Sequence, residues 1–142
     1  MKRTATAVWS GDLKTGKGAI SVQSGVIKDS PYTFKARFED ESGKSATNPE
    51  ELIAAAHASC FTMQLSHFLA EAGHPAKKLS TTAEITIQPG TGITKSALSL
   101  VGSVPGISAD DFAASAEKAK ANCPVSKALS AIEITLETQL DG

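Results

Sequence analysis

The segment Thr47–Gly73 reads TNPEELIAAAHASCFTMQLSHFLAEAG and decides how the rest of the chain must be arranged. It carries helix-start signals, with Pro49 suited to the first helical position and two glutamates behind it, and it closes on a glycine. From Leu52 to Ala70 there is no Asp, Glu, Lys or Arg. Such a helix would be roughly 36 Å long, whereas a compact chain of 142 residues has a radius of gyration of about 14 Å. We therefore predict a helix buried on all sides, with a second copy of the chain covering what its own sheet cannot.

The composition excludes several classes of protein. The chain has 142 residues, a net charge of −1 and only two arginines, which argues for one domain over residues 1–142 and against a nucleic-acid binder. The N-terminus has a basic start without an apolar core, so no signal peptide is expected. The segment 52–70 contains Ser, Thr, Gln and His and is too polar for a membrane span. We expect a soluble, cytoplasmic protein that binds neither nucleic acid nor membrane.

Hydrophobic periodicity places the remaining elements. Before the long helix, apolar and alternating patterns predict three antiparallel strands, at Thr4–Trp9, Ala19–Val22 and Tyr32–Phe38. After it, the patterns predict strands at Leu79–Gln88 and Ile93–Val104, a second helix that starts after Ser108 and ends near Cys123, and a last strand over Ile132–Leu140. The order is β-β-β-α-β-β-α-β, which indicates a single α+β domain.

The two cysteines, Cys60 and Cys123, allow two interpretations, because no CxxC motif is present. They are inert core thiols, or they form a redox pair. Both fall on apolar helical stripes, so a meeting is geometrically plausible, although the pattern does not establish it. Cys60 lies too far from its helix N-terminus for the helix dipole to act, and burial alone would raise the pKa of its thiol. Activation would need an external cation or base.

Two side chains could supply that activation. His57 lies three residues before Cys60 on the same helical side and could form a Cys–His dyad, or it could be a core histidine. Arg37 lies in the middle of a predicted strand and could be a planar donor for a thiolate, or part of a solvated face. Glu50 suits a helix cap. It lies about 15 Å along the helix from Cys60, so it could act on a thiol only in another chain.

Cofactor sites are weakly indicated. The three histidines and two cysteines contain no CxxC or HxxxH pair, so a zinc site is a weak hypothesis. The glycines at positions 16 and 18 do not open a helix and do not make a phosphate loop. We predict no metal and no cofactor.

The motifs TNPEELIAAAHASCF and NCPVS resemble the OsmC/Ohr family of thiol-dependent organic hydroperoxidases. The segments VWSGDLKTGKG and SPYTFKARFED are similar to its osmotically inducible (OsmC) branch, and the resemblance covers essentially the whole chain. It implies an intertwined homodimer, with antiparallel sheets wrapped around two long central helices. It also implies a cysteine-based peroxidase that reduces organic hydroperoxides to alcohols, with a role in oxidative or osmotic stress.

The resemblance also implies a role for each site residue. Cys60 would be the peroxidatic cysteine and Cys123 the resolving one, and the two would form an intrachain disulfide that an external dithiol of the lipoyl type reduces. Arg37 would be the catalytic arginine, held by Glu50 of the other subunit. Because Glu51 stands where the hydroperoxidase branch tends to have Gln, Glu50 and Glu51 are both candidate partners of Arg37. We further expect an apolar seam near the thiol, made of Ile53, Ala56, Phe61 and Met63, to favour organic hydroperoxides.

Two other classes of function remain open. One is a non-enzymatic stress or ligand-binding protein on the same fold, in which both thiols are inert. The other is a thiol–disulfide oxidoreductase acting on proteins, which the missing CxxC disfavours.

Overall fold

The computed structural model describes residues 1–141. The chain separates into two compact units, Met1–Leu52 and a second unit that starts at Ile53. The long helix, α2 (Pro49–Glu71), begins in the first unit and continues into the second. The prediction of a single domain stays a prediction.

The first unit contains a three-stranded antiparallel sheet in the order β1-β2-β3. Its strands are β1 (Ala5–Ser10), β2 (Lys17–Val22) and β3 (Ser30–Tyr32). Gly18 lies at the centre of this sheet, opposite both Trp9 and Tyr32. A Cβ at Gly18 would lie 2.6 Å from Cε3 of Trp9. The absent side chain is what lets the Trp9 and Tyr32 rings approach to 5.3 Å between centroids.

The predicted third strand is partly wrong, because only its beginning is extended. The chain turns into a short helix, α1 (Phe34–Phe38), directly after β3. Thr33 caps this helix, since its Oγ1 accepts the N–H of Ala36 at 3.0 Å. The rings of Phe34 and Phe38 pack against each other with their centroids 5.1 Å apart and their planes tilted by 50°, as residues four apart on a helix can. The apolar residues of Tyr32–Phe38 are thus compatible with a strand or with a helix, and the cap at Thr33 favours the helix.

The second unit contains a three-stranded sheet in the order β4-β5-β6. Its strands are β4 (Lys78–Gln88), β5 (Gly92–Ser103) and β6 (Glu133–Leu140). The first two strands are antiparallel, as predicted, but β5 and β6 are parallel, which corrects the expectation of purely antiparallel sheets. The reason is the connection, since α3 (Ala109–Asn122) and α4 (Pro124–Ala128) carry the chain back before β6 begins. Ser108 caps α3, as predicted.

One face of α2 packs into the core of the second unit. His57, Phe61, Leu65 and Leu69, spaced four residues apart, are all fully buried. The three apolar members belong to one core cluster with residues of β5 and α3, among them Leu98, Leu100, Phe112, Ala116 and Ala119. Cys60 packs against this core from the side.

The opposite face of α2 is open in the single chain, so the predicted burial on all sides is not reached within one chain. Met63 is 74% exposed, and the side chain of His67 is 61% exposed. A shallow groove of ≈ 720 Å³ runs between this face and the start of β4, lined mainly by small residues together with Met63, Lys77, Lys78 and Leu79.

The predicted α+β class is confirmed, since residues 1–141 form six strands in two sheets and four helices. The two helices beyond the predicted order are the short ones, α1 and α4. Among the described residues, no helix has the length and hydropathy of a membrane span.

Candidate active site

The two cysteines come together within the second unit. Cys60 lies in the middle of α2 and is partly buried, whereas Cys123 is fully buried. The side chain of Cys123 and the backbone N–H of Val125 are the hydrogen-bonding neighbours that shift the pKa of the Cys60 thiol. Both are free thiols. The meeting that the helical stripes made plausible is therefore present, in the reduced form.

The position of Cys123 follows from the Cys123–Pro124 sequence. A residue before proline avoids the helical region, and Cys123 has an extended ψ of 125°. It ends α3 and at the same time precedes α4, in which Pro124 occupies the first position. The helical conformation is interrupted at Cys123, and this interruption directs the N–H of Val125 toward Cys60.

The surroundings raise the pKa of the Cys60 thiol. Burial is the largest cause, followed by the hydrogen bond with the Cys123 thiol, and the Val125 N–H opposes both. In these surroundings Cys60 is protonated near neutral pH. It becomes a nucleophile only if a cation or a base stabilises the thiolate.

His57 does not serve as that base. Its Nδ1 lies 2.7 Å from Ser96 Oγ and its Nε2 lies 2.8 Å from Ser126 Oγ, so both ring nitrogens are engaged by serine hydroxyls. Burial lowers the pKa of His57, which favours the neutral ring. The structure thus assigns His57 to a buried polar cluster and gives no support to a Cys–His dyad.

Arg37 and Glu50 form an ion pair within the first unit. Arg37 Nη2 donates to Glu50 Oε1 at 2.7 Å, and Arg37 Nε donates to both carboxylate oxygens at 3.1 and 3.3 Å. The Glu50 side chain is only 10% exposed and that of Arg37 34%. Forked geometry of this kind fixes the guanidinium plane.

This pair corrects one expectation and selects between two others. Arg37 and Glu50 belong to the same chain, so the carboxylate that holds Arg37 does not come from the other subunit. Glu51 is exposed, and its carboxylate accepts a hydrogen bond from Thr47 Oγ1 at 2.8 Å. Glu50 is therefore the partner of Arg37.

An apolar pocket adjoins Arg37 in the first unit, and sequence reasoning missed it. It has a volume of ≈ 260 Å³ and is lined by Trp9, Leu13, Tyr32, Thr33, Phe34, Arg37 and Phe38. The guanidinium carbon of Arg37 lies 4.9 Å from the Phe38 ring centroid. The available signal was the clustering of aromatic residues, since four of the seven in the chain precede residue 39.

Two members of the predicted apolar seam, Phe61 and Met63, have different surroundings, and the proximity of the seam to the thiol stays a prediction. Phe61 is fully buried in the core, and Met63 points into the open groove, 74% exposed. Apolar residues repeat every three or four positions on α2, which places Phe61 and Met63 on apolar stripes. The repeat does not predict which stripe the sheet will cover.

Metal ligation has no support among residues 1–141. No group of three or more His, Cys, Asp or Glu side chains in this part of the chain is placed to hold an ion.

Known proteins resemble this chain along most of its length. The sequence profile of the OsmC-like protein family matches residues 41–138. Peroxiredoxin OsmC of Escherichia coli (strain K12) is 52% identical over 137 residues, which cover 94% of this chain and 93% of that protein. The organic hydroperoxide resistance protein OsmC of Legionella pneumophila superposes with a TM-score of 0.68 and 25% identity, over 96% of each chain. The organic hydroperoxide resistance protein OhrB of Bacillus subtilis gives a TM-score of 0.66 and 25% identity, over 96% of this chain and 98% of that one.

The strength of the Arg37–Glu50 pair can be measured with a double-mutant cycle. We predict a coupling free energy of about 1–2 kcal/mol between Arg37→Ala and Glu50→Ala, because the pair is forked and Glu50 is largely buried. The chain offers a control in Lys120 and Glu117, an i,i+3 pair on α3 joined by a single contact of 3.3 Å, whose carboxylate is 58% exposed. That pair should couple by less than about 0.5 kcal/mol. Equal coupling in the two cycles, measured by urea unfolding, would show that the fork adds nothing.

Proposed function

The chain belongs to the OsmC-like protein family, and from this premise we propose that it is a cysteine peroxidase that reduces organic hydroperoxides to alcohols. The predicted enzyme class, a thiol-dependent peroxidase, is confirmed by the 52% identity with a named peroxiredoxin over nearly the whole chain. The observation that carries the proposed mechanism is the contact of Cys60 with Cys123 at a helix break. These are the only two cysteines in the sequence, and each has the other as its partner.

The hydroperoxide is reduced and the cysteine pair oxidised in two steps, and a third step regenerates the thiols. The Cys60 thiolate attacks the terminal oxygen of the hydroperoxide, the O–O bond breaks, and the alkoxide leaves and takes a proton to become the alcohol. Cys60 is then a sulfenic acid, which condenses with the Cys123 thiol to a disulfide and releases water. An external dithiol reduces this disulfide by exchange, and the resemblance to the family favours a dithiol of the lipoyl type. The physiological context would be defence against oxidative or osmotic stress.

Arg37 supplies the activation that Cys60 lacks in its own surroundings. A guanidinium favours the thiolate and stabilises the negative charge that develops on the leaving alkoxide. Glu50 holds this guanidinium through three hydrogen bonds. The pocket next to Arg37 is lined mainly by aromatic side chains, and this supports a substrate with an apolar organic group over hydrogen peroxide.

A homodimer brings these parts together. Glu50 lies ten residues before Cys60 on α2, which is about 15 Å along the helix axis. We therefore assign the Arg37–Glu50 pair of one chain to the partner's Cys60. The same partner would cover the small-residue face of α2, which is open in the single chain. An obligate interface of this type buries more than roughly 2,000 Å².

A binding protein with inert thiols is the alternative that the raised pKa of Cys60 favours. The peroxidase and the binding protein differ in the pH dependence of Cys60 alkylation. An inert Cys60 reacts with an alkylating agent only as pH rises toward its raised pKa, whereas an Arg37-activated Cys60 reacts already below neutral pH.

Arg37→Lys should lower the peroxidase rate by at least about tenfold, or roughly 1.4 kcal/mol in the barrier. Lysine keeps the charge but loses the fork that holds Glu50 and the substrate oxygen together. Removing the charge with Arg37→Gln should leave Cys60 with the pKa that burial dictates, above its ordinary value, so that the alkylation rate rises only at alkaline pH. Stopped-flow peroxide consumption and alkylation over a pH series measure the two effects.

Lys35→Ala is the control, since it removes an exposed positive charge two residues away on the same short helix. It should leave both profiles unchanged. If Arg37→Lys kept the peroxidase rate of the unmutated protein, Arg37 would have no catalytic role that requires a guanidinium.

The two cysteine variants should fail at different steps. Cys60→Ser should abolish even a single turnover, because a serine hydroxyl is not a comparable nucleophile. Cys123→Ser should consume about one hydroperoxide per site and then stall, and excess hydroperoxide should oxidise its Cys60 further to the sulfinic acid. Mass spectrometry of the unmutated protein after one equivalent should show an intrachain Cys60–Cys123 disulfide. The reverse pattern, with reaction only in Cys60→Ser, would exchange the two roles.

A further inference from the structure

The strongest feature that the proposed mechanism leaves unused is a buried cluster of three polar side chains one helical turn from Cys60. His57 on α2, Ser96 on β5 and Ser126 on α4 are 0%, 0% and 5% exposed. The imidazole lies between the two hydroxyls, at 2.7 Å from one and 2.8 Å from the other. A polar group buried in this way is costly unless it is hydrogen-bonded, and here both ring nitrogens are. The cluster ties three elements of the second unit together at one ring.

The element that depends most on this cluster is α4. It has five residues, far fewer than the roughly 12 that an isolated helix needs to be stable. No side chain caps it, and Pro124 at its first position cannot donate a backbone hydrogen bond. Tertiary contacts must therefore hold α4 in place. Three such contacts involve α4. Val125 packs against the core, its backbone N–H interacts with the Cys60 sulfur, and the Ser126 hydroxyl is hydrogen-bonded to the imidazole of His57.

Only some of these contacts persist when Cys60 reacts. Oxidation of Cys60 to the sulfenic acid changes the sulfur that the Val125 N–H contacts. The bond between Ser126 and His57 involves no sulfur, so it is unaffected by the oxidation state of Cys60. Ser126 lies three residues after Cys123, which makes it a fixed point close to the resolving thiol throughout the cycle.

We propose that His57 is a positioning residue for the second step, holding the segment Cys123–Ser126 against the oxidised Cys60 through the hydroxyl of Ser126. In that step the Cys123 sulfur attacks the Cys60 sulfur, the S–S bond forms, the S–O bond breaks, and the hydroxyl leaves as water with the thiol proton. No other reactant is consumed. A tether that keeps the two sulfurs together raises their effective concentration and thus the rate of this intramolecular step. The attack of Cys60 on the hydroperoxide, which precedes it, does not need the tether.

This inference rests on the proposed peroxidase function, and it makes a claim that a purely structural role for His57 does not. Loss of a structural contact would weaken the fold and slow both steps together. Loss of the tether slows resolution and leaves peroxide attack nearly unchanged, so the sulfenic acid accumulates between the two steps.

The test is to measure both steps in Ser126→Ala, which removes one hydroxyl and leaves the ring of His57 in place. Rapid quenching and mass spectrometry follow the formation of the sulfenic acid and of the disulfide after mixing with an organic hydroperoxide. Disulfide formation should slow by at least about fivefold, the effect of one lost hydrogen bond. The first step should change by less than about twofold, and a sulfenic-acid trap such as dimedone should capture more of Cys60. Ser126→Thr, which keeps the hydroxyl, should restore the resolution rate.

Ser130→Ala is the matched control, because it makes the same change at an exposed position just beyond α4. It should leave both steps as they are in the unmutated protein. Equal resolution rates in Ser126→Ala and the unmutated protein would overturn the inference, and so would an equal slowing of both steps or failure of Ser126→Thr to restore the rate.

A second measurement separates failure of the inference from failure of the proposed function. The equilibrium of the Cys60–Cys123 disulfide with reduced and oxidised glutathione needs no hydroperoxide. The tether predicts a lower effective concentration of the two thiols in Ser126→Ala than in the unmutated protein or in Ser130→Ala. If the unmutated protein consumed no hydroperoxide but this difference appeared, the peroxidase proposal would fail and the tether would stand.

Discussion

The contact between Cys60 and Cys123 is the interaction on which the other parts of the site depend. Two thiols hydrogen-bonded in a largely apolar environment are stable as thiols, and burial raises the pKa of Cys60. That environment suits the end of the proposed reaction cycle, since Cys60 and Cys123, the proposed partners of the disulfide, already interact. It opposes the beginning, which needs a thiolate. The proposed mechanism therefore requires a positive group to approach Cys60 without disturbing Cys123.

The Arg37–Glu50 pair has the properties that such a group needs. Glu50 is nearly buried and holds the guanidinium by its fork, so the positive charge is fixed in direction at little further entropic cost. The Arg37–Glu50 pair lies in the first unit and the two cysteines lie in the second, and this separation has three consequences. The cysteine pair can remain packed in the second unit, the aromatic pocket can form around Arg37 in the first, and the proposed dimer brings the two halves together. A mutation in either half would then lower activity for a different physical reason.

The sequence predicts much of this and fails where two patterns compete. The long helix, the cap at Ser108 and the strands β4 and β5 follow from periodicity and capping, and the structure contains them. The segment Tyr32–Phe38 alternates like a strand, but the hydroxyl of Thr33 and the spacing of two phenylalanines decide for a helix. The parallel pairing of β6 depends on how far α3 and α4 carry the chain, which no local pattern encodes.

The site residues show the same division. The two cysteines could be singled out from their stripes, and Arg37 from its rarity, but their roles came from the family resemblance. The resemblance placed the carboxylate that holds Arg37 in the other subunit, whereas the structure has it in the same chain. The residues alone gave no warning, because a carboxylate at a helix N-terminus has a sufficient local reason to be there. The buried polar cluster of His57 and two serines could not be predicted from the sequence either. Its two serines lie 39 and 69 residues away, and nothing in their local sequence marks them as buried.

Mixed dimers test the central claim most directly, namely that an Arg37–Glu50 pair held within one chain activates the Cys60 of its partner. Two variants are co-expressed with different affinity tags, and the heterodimer is isolated and assayed with an organic hydroperoxide. Glu50→Ala mixed with Cys60→Ser should recover activity at one of the two sites, because one chain keeps the cysteine and the other keeps the intact pair. Glu50→Ala mixed with Arg37→Ala should recover none, because neither chain holds both members of the pair. Activity in the second heterodimer, or none in the first once its formation is established, would contradict this account.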